Sequence, residues 1–550
     1  MKYAGRILRF NHILVIAAIL LSGCFPESRK EAVQANSLLT PTAILPQATM
    51  TPEALKVWVS QDLPAGFREK LRLPVDATSV TDPVQANVKI TLSDETKLGT
   101  WYYVLAAPFP TVTDGISGDD LKNFWLGTES NFSAKKILAS QETQALLTIL
   151  LGKPDKRNIR TLLPGNTAEN FWQEDIWVIL PFEQIEPKWK VIAIDGLSPI
   201  EKSFQPDNYL LKAGIGAETS GSIDASQISN AILNISEKLT NRDPEKLTTL
   251  VLTGVTALVR GTAAMMQIKG VKYPGEEIGP MLREADILHV NNEVPFSPSC
   301  TQPPVNPDEL VFCSKPAYMG LLEDIGTDVV ELDGDHFQDW GKEAVLFTLD
   351  LYKEKGMQYY GGGENISYAK KPLLVEHNGN KLAFLGCNAK PPGYATASAT
   401  NPGALHCNFN ELIEEIRKVK AGGYLPVVTF QHLEYYSNTA NPILKADFQS
   451  VADAGAVIVS GSQAHIPQAM EFRKGAFLHY GLGNLFFDQY YESEETRKAF
   501  IDRHVFYDGK YINTQLITIM FIDIARPRYM TTGERQDLLE EIFAASGWEN

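Results

Sequence analysis

Six apolar runs of strand length follow one another after about residue 247, and each ends in a loop of glycine and polar residues. The six loops are Gly254-Val255-Thr256, Asn291-Asn292-Glu293, Asp333-Gly334-Asp335-His336, Gln431-His432-Leu433-Glu434, Gly461-Ser462-Gln463-Ala464-His465 and Gly481-Leu482-Gly483-Asn484. In layered α/β proteins ligands bind beyond the carboxyl ends of the strands, so we expect these loops to converge on one site. Neighbouring side chains of a strand point to opposite faces, so only one of Gln431 and His432 can face that site.

The first half of the chain mixes strand-like and helix-like segments. Val88–Leu92 alternates between apolar and polar residues, Tyr102–Ala107 is continuously apolar, and a helix is predicted from Ser140 to Gly152. We assign residues 53–215 to an α/β lobe and residues 216–245 to a connector built around one helix. The order of elements is similar to one lobe of the periplasmic solute-binding proteins, and a structural lobe without a ligand remains the alternative.

The N-terminus is typical of an export signal. Lys2, Arg6 and Arg9 precede the apolar run 13–21, which has the size of a signal-peptide core and is too short for a membrane-spanning helix. The run ends in Leu21-Ser22-Gly23-Cys24, which resembles the lipobox of bacterial lipoproteins. This resemblance predicts a signal peptide over residues 1–24, acylation of Cys24, and the membrane as a partner on its extracytoplasmic face. An ordinary cleaved signal followed by a chance cysteine is the alternative.

Residues 25–52 are rich in Pro, Ser, Thr and Ala, a composition that buries too little apolar surface to fold. We therefore predict a flexible linker between the anchor and the folded part of the chain.

Composition limits the remaining possibilities. A chain of 550 residues is expected to form two or more domains, and a formal net charge of −16 argues against nucleic acid as a partner. Four cysteines remain besides Cys24, an even number that permits two disulfides in an oxidising compartment. We predict the sequence-near pairs, Cys300 with Cys313 and Cys387 with Cys407, with buried free thiols as the alternative.

The second half of the chain resembles a known family. Asn291–Phe296, Leu382–Gly386 and above all Gly481-Leu482-Gly483-Asn484-Leu485-Phe486-Phe487-Asp488-Gln489 match, in order, motifs of the bacterial capsule-synthesis family, the CapA-type poly-gamma-glutamate synthesis proteins. The resemblance implies an α/β fold class, with a metallophosphatase-like layered α/β/β/α sandwich over residues 246–550. It also implies a role in the synthesis, release or remodelling of a capsule-type polymer, with an anionic cell-surface polymer and other capsule synthesis proteins as partners.

The chain departs from the family pattern at its metal ligands. Val255 stands where the family has an aspartate, and Gln431 and the stretch Gly461–His465 lack two of the usual histidines. The resemblance leaves Glu293, Asp335, His465 and Gln431 as metal ligands. It implies His336 as general acid and Arg260 as a clamp for an anionic substrate. The residues assigned to substrate binding are Asn291, Asp339, Gln463 and Asn484.

Two functions therefore stay open at this stage. One is a metal-dependent hydrolase or transferase with a depleted site, which uses Mn, Zn or Fe for amide chemistry on the polymer. The other is a binding or scaffold lipoprotein that keeps the fold without the catalysis.

The C-terminal segment adds structural predictions. Asp508-Gly509 predicts the turn of a final hairpin, and Thr531 to Glu534 predicts a capped helix start. Asp502, Arg503 and His504, upstream of the turn, are expected to take part in ion pairs at the surface, and an approach to the cleft is the alternative.

Overall fold

The computed structural model describes residues 54–548, apart from 167, 173, 222, 302–309 and 394. The predicted signal peptide, the lipobox with Cys24, and the linker thus lie outside the described residues. Among the helices that the structure describes, none combines the length and apolar character needed to cross a bilayer.

The first half forms one mixed sheet with helices. Its strands are β1 (Leu55–Val59), β2 (Ala77–Ser79), β3 (Val88–Leu92), β4 (Lys97–Pro108), β5 (Gly115–Ile116), β6 (Lys136–Ala139), β7 (Ile159–Thr161), β8 (Ile176–Pro181), β9 (Trp189–Ile194) and β10 (Lys212–Thr219). Its helices are α1 (Ala65–Lys70), α2 (Gly118–Leu126), α3 (Gln141–Leu151) and α4 (Ala225–Ile235). The strand order is β2-β1-β3-β10-β4-β8-β6-β7, with β9 beside β4 and β5 beside β9.

The second half contains the remaining elements. Its strands are β11 (Leu247–Thr256), β12 (Ile287–Asn292), β13 (Val329–Glu331), β14 (Gln358–Tyr360), β15 (Gly362–Gly363), β16 (Leu373–His377), β17 (Asn380–Asn388), β18 (Gly403–Ala404), β19 (Leu425–Gln431), β20 (Ile458–Gly461), β21 (Met470–Arg473), β22 (Ala476–His479), β23 (Asn484–Phe486), β24 (Lys498–Tyr507), β25 (Lys510–Phe521) and β26 (Pro527–Tyr529). Its helices are α5 (Arg260–Lys269), α6 (Gly279–Leu282), α7 (Met319–Ile325), α8 (Gly341–Lys355), α9 (Ile366–Ala369), α10 (Phe409–Ala421), α11 (Pro442–Ala454) and α12 (Thr532–Ala545).

Two sheets of this half pack face to face. One has the order β14-β13-β12-β11-β24-β25-β26, with β23 beside β11, and the other has the order β16-β17-β19-β20-β22-β21. Leu252 and Ile287 of the first of these sheets share a buried cluster with Phe384, Val427 and Phe477 of the second. Apolar contacts between the inner faces hold such layers together because they remove both faces from water.

Helices cover the two outer faces. Val251 and Leu288 pack with Met266 of α5 and Leu322 of α7 on one side. On the other side, residues of β19 and β20 pack with α10 and α11. The predicted α/β class and the layered α/β/β/α sandwich are therefore confirmed.

The segment predicted as a connector contributes to the first sheet. Strand β10, which runs to Thr219, pairs with β3 and β4, and Ile228 and Ile232 of α4 lie in the core beneath that sheet. The predicted helix is therefore present, and it packs on the lobe. The domain boundaries themselves stay a prediction.

The lobe and the sandwich share an apolar boundary. The ring of Phe109, which follows β4, lies 5.0 Å from that of Phe472 and 5.4 Å from that of Phe477. Arg535 of α12 pairs with Asp114 of the lobe through two hydrogen bonds of 2.7 and 2.8 Å. These contacts fix the lobe against the end of the sandwich formed by β21, β22 and α12.

Several local predictions are confirmed. Strands β24 and β25 form an antiparallel hairpin that turns at Asp508 and Gly509. Helix α12 starts with a capping box between Thr531 and Glu534. The disulfides are Cys300–Cys313 and Cys387–Cys407, the pairs that the sequence spacing suggested.

The prediction that Asp502 and His504 form surface ion pairs is wrong. Both side chains are fully buried, and Asp502 Oδ2 lies 2.7 Å from Nδ1 of His479, which is also buried. Strand β24 lies between β11 and β25 inside its sheet. Its polar face therefore points toward the facing sheet, where the ring of Phe477 in β22 contacts that of His504, rather than toward water.

Candidate functional site

Loops from two sheets meet at one end of the sandwich. Glu293 follows β12, Asp335 and His336 follow β13, and Gln431 ends β19. We define the strand-end site by the residues that contact or face one another there: Glu293, Asp335, His336, Asp339, Lys390, Gln431, Glu434, Gln463, His465 and Asn484. Five of the six predicted loops therefore contribute residues to this site, whereas Val255 of the loop Gly254-Val255-Thr256 lies in an apolar cluster.

The centre of the strand-end site is a pair of buried carboxyl groups bridged by an amide. Gln431 Nε2 donates to Glu293 Oε1 at 3.0 Å and to Asp335 Oδ1 at 3.3 Å. His432 points away and bonds to Asp447 Oδ2 at 3.1 Å, as strand alternation requires. The prediction that only one of these two neighbours faces the site is therefore confirmed.

The two carboxyl groups take different protonation states. Burial, reinforced by the charge of Asp335, raises the pKa of Glu293 well above its ordinary value. Burial would also raise the pKa of Asp335, but a hydrogen bond from Glu293 and the positive charges of His336 and Lys390 hold it below its ordinary value. Asp335 therefore carries the negative charge of the pair, and Glu293 carries the proton.

His336 is oriented by a third acid. Its Nδ1 lies 2.6 Å from Asp339 Oδ2, and its Nε2 lies 3.9 Å from Asp335 Oδ2. Burial alone would lower the pKa of His336, but the hydrogen bond to Asp339 and the negative charges of Asp335 and Asp339 raise it to about 9. The ring is therefore an imidazolium at neutral pH, and its Nε2 carries a proton.

Lys390 is a residue of this site that the sequence interpretation missed. It lies two residues beyond β17, is 7% exposed, and places Nζ 2.5 Å from Asp335 Oδ2 and 3.2 Å from Glu434 Oε1. The apolar run Leu382–Gly386 predicts a strand, so the polar loop after it is a seventh strand end of the same kind as the other six. A lysine in that loop does not indicate a metal site, because an ammonium donates hydrogen bonds and does not ligate metals.

His465 lies at the edge of the site. Its Nδ1 is 2.8 Å from Asn484 Oδ1, and its ring stacks on Phe487 at 5.2 Å. Gln463 donates from Nε2 to Glu434 Oε1 at 3.0 Å. The structure thus pairs two of the predicted substrate-binding residues, Gln463 and Asn484, with other members of the site.

Arg260 and Asn291 are buried. Arg260 Nε lies 2.9 Å from Asp488 Oδ1, and its guanidinium sits 4.9 Å above the ring centre of Phe487. Asn291 is a fully buried residue of β12. The roles predicted for both residues, a substrate clamp and a substrate contact, stay predictions.

Part of the strand-end site could hold a metal ion. The ligand atoms of Glu293, Asp335 and His336 lie within 4.8 Å of one another, and carboxylate and imidazole groups suit Mn, Zn or Fe. Among the residues that the structure describes, this group offers ligands for one such ion. Val255, where the family resemblance implies an aspartate, lies in an apolar cluster with Val294, Phe312 and Phe487. Gln431 turns its amide donors toward the two carboxyl groups.

The fold and the site define a layered α/β sandwich with a carboxylate-rich centre at its strand ends, and sequence comparison shows which family this part of the chain resembles. Residues 249–489 match the model of the bacterial capsule synthesis protein family PGA_cap. This part of the chain is similar to the CapA-type capsule synthesis proteins, at modest sequence identity.

Two relatives illustrate the similarity. The chain is 28% identical to the capsule biosynthesis protein CapA of Bacillus anthracis over 254 residues, which is 45% of this chain and 62% of the relative. It is 26% identical to the PGA biosynthesis protein CapA of Bacillus subtilis (strain 168) over 223 residues, 40% of this chain and 58% of the relative. The chain therefore spans about three fifths of the length of these relatives.

Solved structures give weaker similarities. The calcineurin-like phosphoesterase YfkN of Bacillus subtilis aligns with a TM-score of 0.29 and 12% identity over 55% of this chain and 98% of that chain. A phosphate ABC transporter substrate-binding protein of Clostridium perfringens aligns with a TM-score of 0.23 and 9% identity over 32% of this chain and 92% of that chain. At these TM-scores neither similarity bears on the function of this chain.

Proposed function

We propose that this protein is a lipid-anchored envelope protein that acts in the synthesis, release or remodelling of a capsule-type polymer, either poly-gamma-glutamate or a related anionic chain. The strand-end site is the place where the polymer is handled, and amide chemistry is the reaction that its residues suit. The family match over residues 249–489 supports the polymer class.

The position of His336 supports the chemistry. A general acid must present a proton to the leaving group, and His336 holds one on Nε2 because Asp339 accepts from Nδ1. In this proposal His336 protonates the nitrogen of the amide that is cleaved, or the corresponding group in a transfer. Glu293 and Asp335 are the carboxylates that would hold a divalent ion, and such an ion supplies Lewis-acid polarisation of a carbonyl when bound.

A second function, a binding or scaffold lipoprotein, is favoured by one observation. Lys390 forms an ion pair with Asp335, and Gln431 bridges the two carboxyl groups, so both carboxyl groups already have partners within the site. A site of this kind can hold a polymer segment without cleaving it.

Turnover of the polymer separates the two functions. The purified chain that starts after Cys24, the His336→Ala variant and the His406→Ala variant are incubated with poly-gamma-glutamate, with and without Mn²⁺. An active parent whose turnover is lost in His336→Ala and kept in His406→Ala supports the enzyme. Binding that all three proteins share, with no change in polymer length, supports the scaffold.

Membrane anchoring through Cys24 is tested separately. The Cys24→Ser variant is expected to leave the membrane fraction, whereas the parent partitions into detergent. A Cys24→Ser protein that stays with the membrane would contradict lipid anchoring at this cysteine. Other capsule synthesis proteins remain the proposed partners, and co-purification with the parent checks them.

A further inference from the structure

A buried lysine contacts the candidate cation site. Lys390 Nζ lies 2.5 Å from Asp335 Oδ2, and both side chains are more than nine-tenths buried. The same ammonium lies 3.2 Å from Glu434 Oε1. Asp335 is one of the three residues that could hold a metal ion, so Lys390 already binds one of the candidate ligands.

The backbone that carries Lys390 is held in place. Lys390 donates its N–H to Asn388 Oδ1 at 2.9 Å, and Ala389 donates its N–H to the carbonyl of Gln431 at 2.7 Å. The disulfide from Cys387 to Cys407 ties the end of β17 to the neighbouring loop. Lys390 is therefore held at the end of β17, beside the end of β19 that carries Gln431.

The surrounding hydrogen bonds suit an organic cation. Gln431 directs N–H donors at Glu293 and Asp335, where a metal centre needs lone pairs directed at the ion. A buried carboxylate still needs a partner, because an isolated charge in a protein interior is costly. The ammonium of Lys390 supplies that partner.

We propose that Lys390 is an internal cation that competes with a divalent metal ion for Asp335 and sets the metal affinity of this site. A metal ion can enter only when Nζ leaves Asp335, because a unit charge and a double charge a few ångströms apart repel strongly. This inference concerns the cation position alone. Metal-binding measurements can contradict this inference without affecting the proposed polymer function. A failure to bind or turn over the polymer likewise leaves this inference unaffected.

The experiment measures metal binding. The parent chain after Cys24 and the Lys390→Met variant are stripped of metal, and Mn²⁺ and Zn²⁺ are titrated by calorimetry, with metal content measured after desalting. We expect the variant to bind one equivalent about 100-fold more tightly than the parent. Lys390→Arg, which keeps the charge, is expected to bind metal as weakly as the parent.

Two controls locate the site and cover a variant that does not fold. Adding Asp335→Asn to Lys390→Met is expected to abolish the gained equivalent. If Lys390→Met is unfolded without metal, the proposal requires that Mn²⁺ restore its circular dichroism spectrum. The proposal is overturned if parent and Lys390→Met bind metal equally, if the folded variant gains no site, or if metal fails to restore an unfolded one.

Discussion

Nδ1 of His336 lies 2.6 Å from Oδ2 of Asp339, three residues further along the chain. The contact fixes the ring orientation and leaves Nε2 facing Asp335 at 3.9 Å. The ring also lies 4.5 Å from that of Phe312. Asp339 was predicted as a substrate contact, but its position indicates that it orients the histidine and helps to keep it charged.

Asp339→Asn should lower the pKa of His336 by about one unit or more, because an amide can still accept from Nδ1 but no longer carries a charge. Histidine hydrogen–deuterium exchange followed by mass spectrometry, in the presence of a chelator, reports that pKa directly. Asp350→Asn is the matched control, since the Asp350 side chain is 80% exposed. An unchanged pKa in Asp339→Asn would show that Asp339 does not charge the ring.

Arg260→Met should destabilise the fold by about 3 kcal/mol, because it leaves Asp488, whose side chain is only 13% exposed, without its ionic partner. Urea unfolding measures the loss, and replacing both residues together, Arg260→Met with Asp488→Leu, should recover part of it. Lys269→Met, at the exposed end of the same helix, is the control. Unchanged stability together with a loss of polymer binding would instead support the predicted role of Arg260 as a substrate clamp.

Replacing Cys387 and Cys407 by alanine should lower the free energy of unfolding by about 3 kcal/mol, because the disulfide closes a loop with a sequence separation of 20 in the unfolded chain. The Cys300–Cys313 pair closes a shorter loop, with a separation of 13, so its removal should cost slightly less. Urea unfolding under non-reducing conditions compares both variants with the parent. Equal stability of the Cys387/Cys407 variant and the parent would contradict this prediction.

The sequence predicts the arrangement of strands well because apolar runs and turn residues act locally. The turn at Asp508-Gly509 and the capped start at Thr531 depend on a few neighbouring residues, and both are present. The convergence of strand ends follows from a general property of layered α/β folds.

The site is harder to predict because its contacts join residues far apart in the chain. Nothing local to Lys390 shows that its ammonium reaches Asp335, which lies 55 residues earlier. The alternation Asp502–His504 shows that one face of β24 is polar but does not show which way it points. Only the pairing with β11 and β25 turns that polar face inward.

His504 should make the fold sensitive to acid. Burial lowers its pKa to about 4, with a partly opposing effect of Asp502 and a reinforcing one of His479. In the unfolded chain a histidine has a pKa of about 6.5, so between these values the unfolded state binds the extra proton. The stabilising effect of the neutral ring is thus fully present above about pH 6.5 and is lost as the pH falls toward 4. The free energy of unfolding contributed by this residue falls by about 3 kcal/mol between pH 7 and pH 4.

Urea unfolding at several pH values tests this effect, and the fall in the free energy of unfolding should be smaller by that amount in His504→Leu than in the parent. His289, whose pKa is also lowered to about 4, titrates in both proteins and cancels in the comparison. Parallel stability curves for parent and variant would show that His504 does not remain neutral in the folded protein.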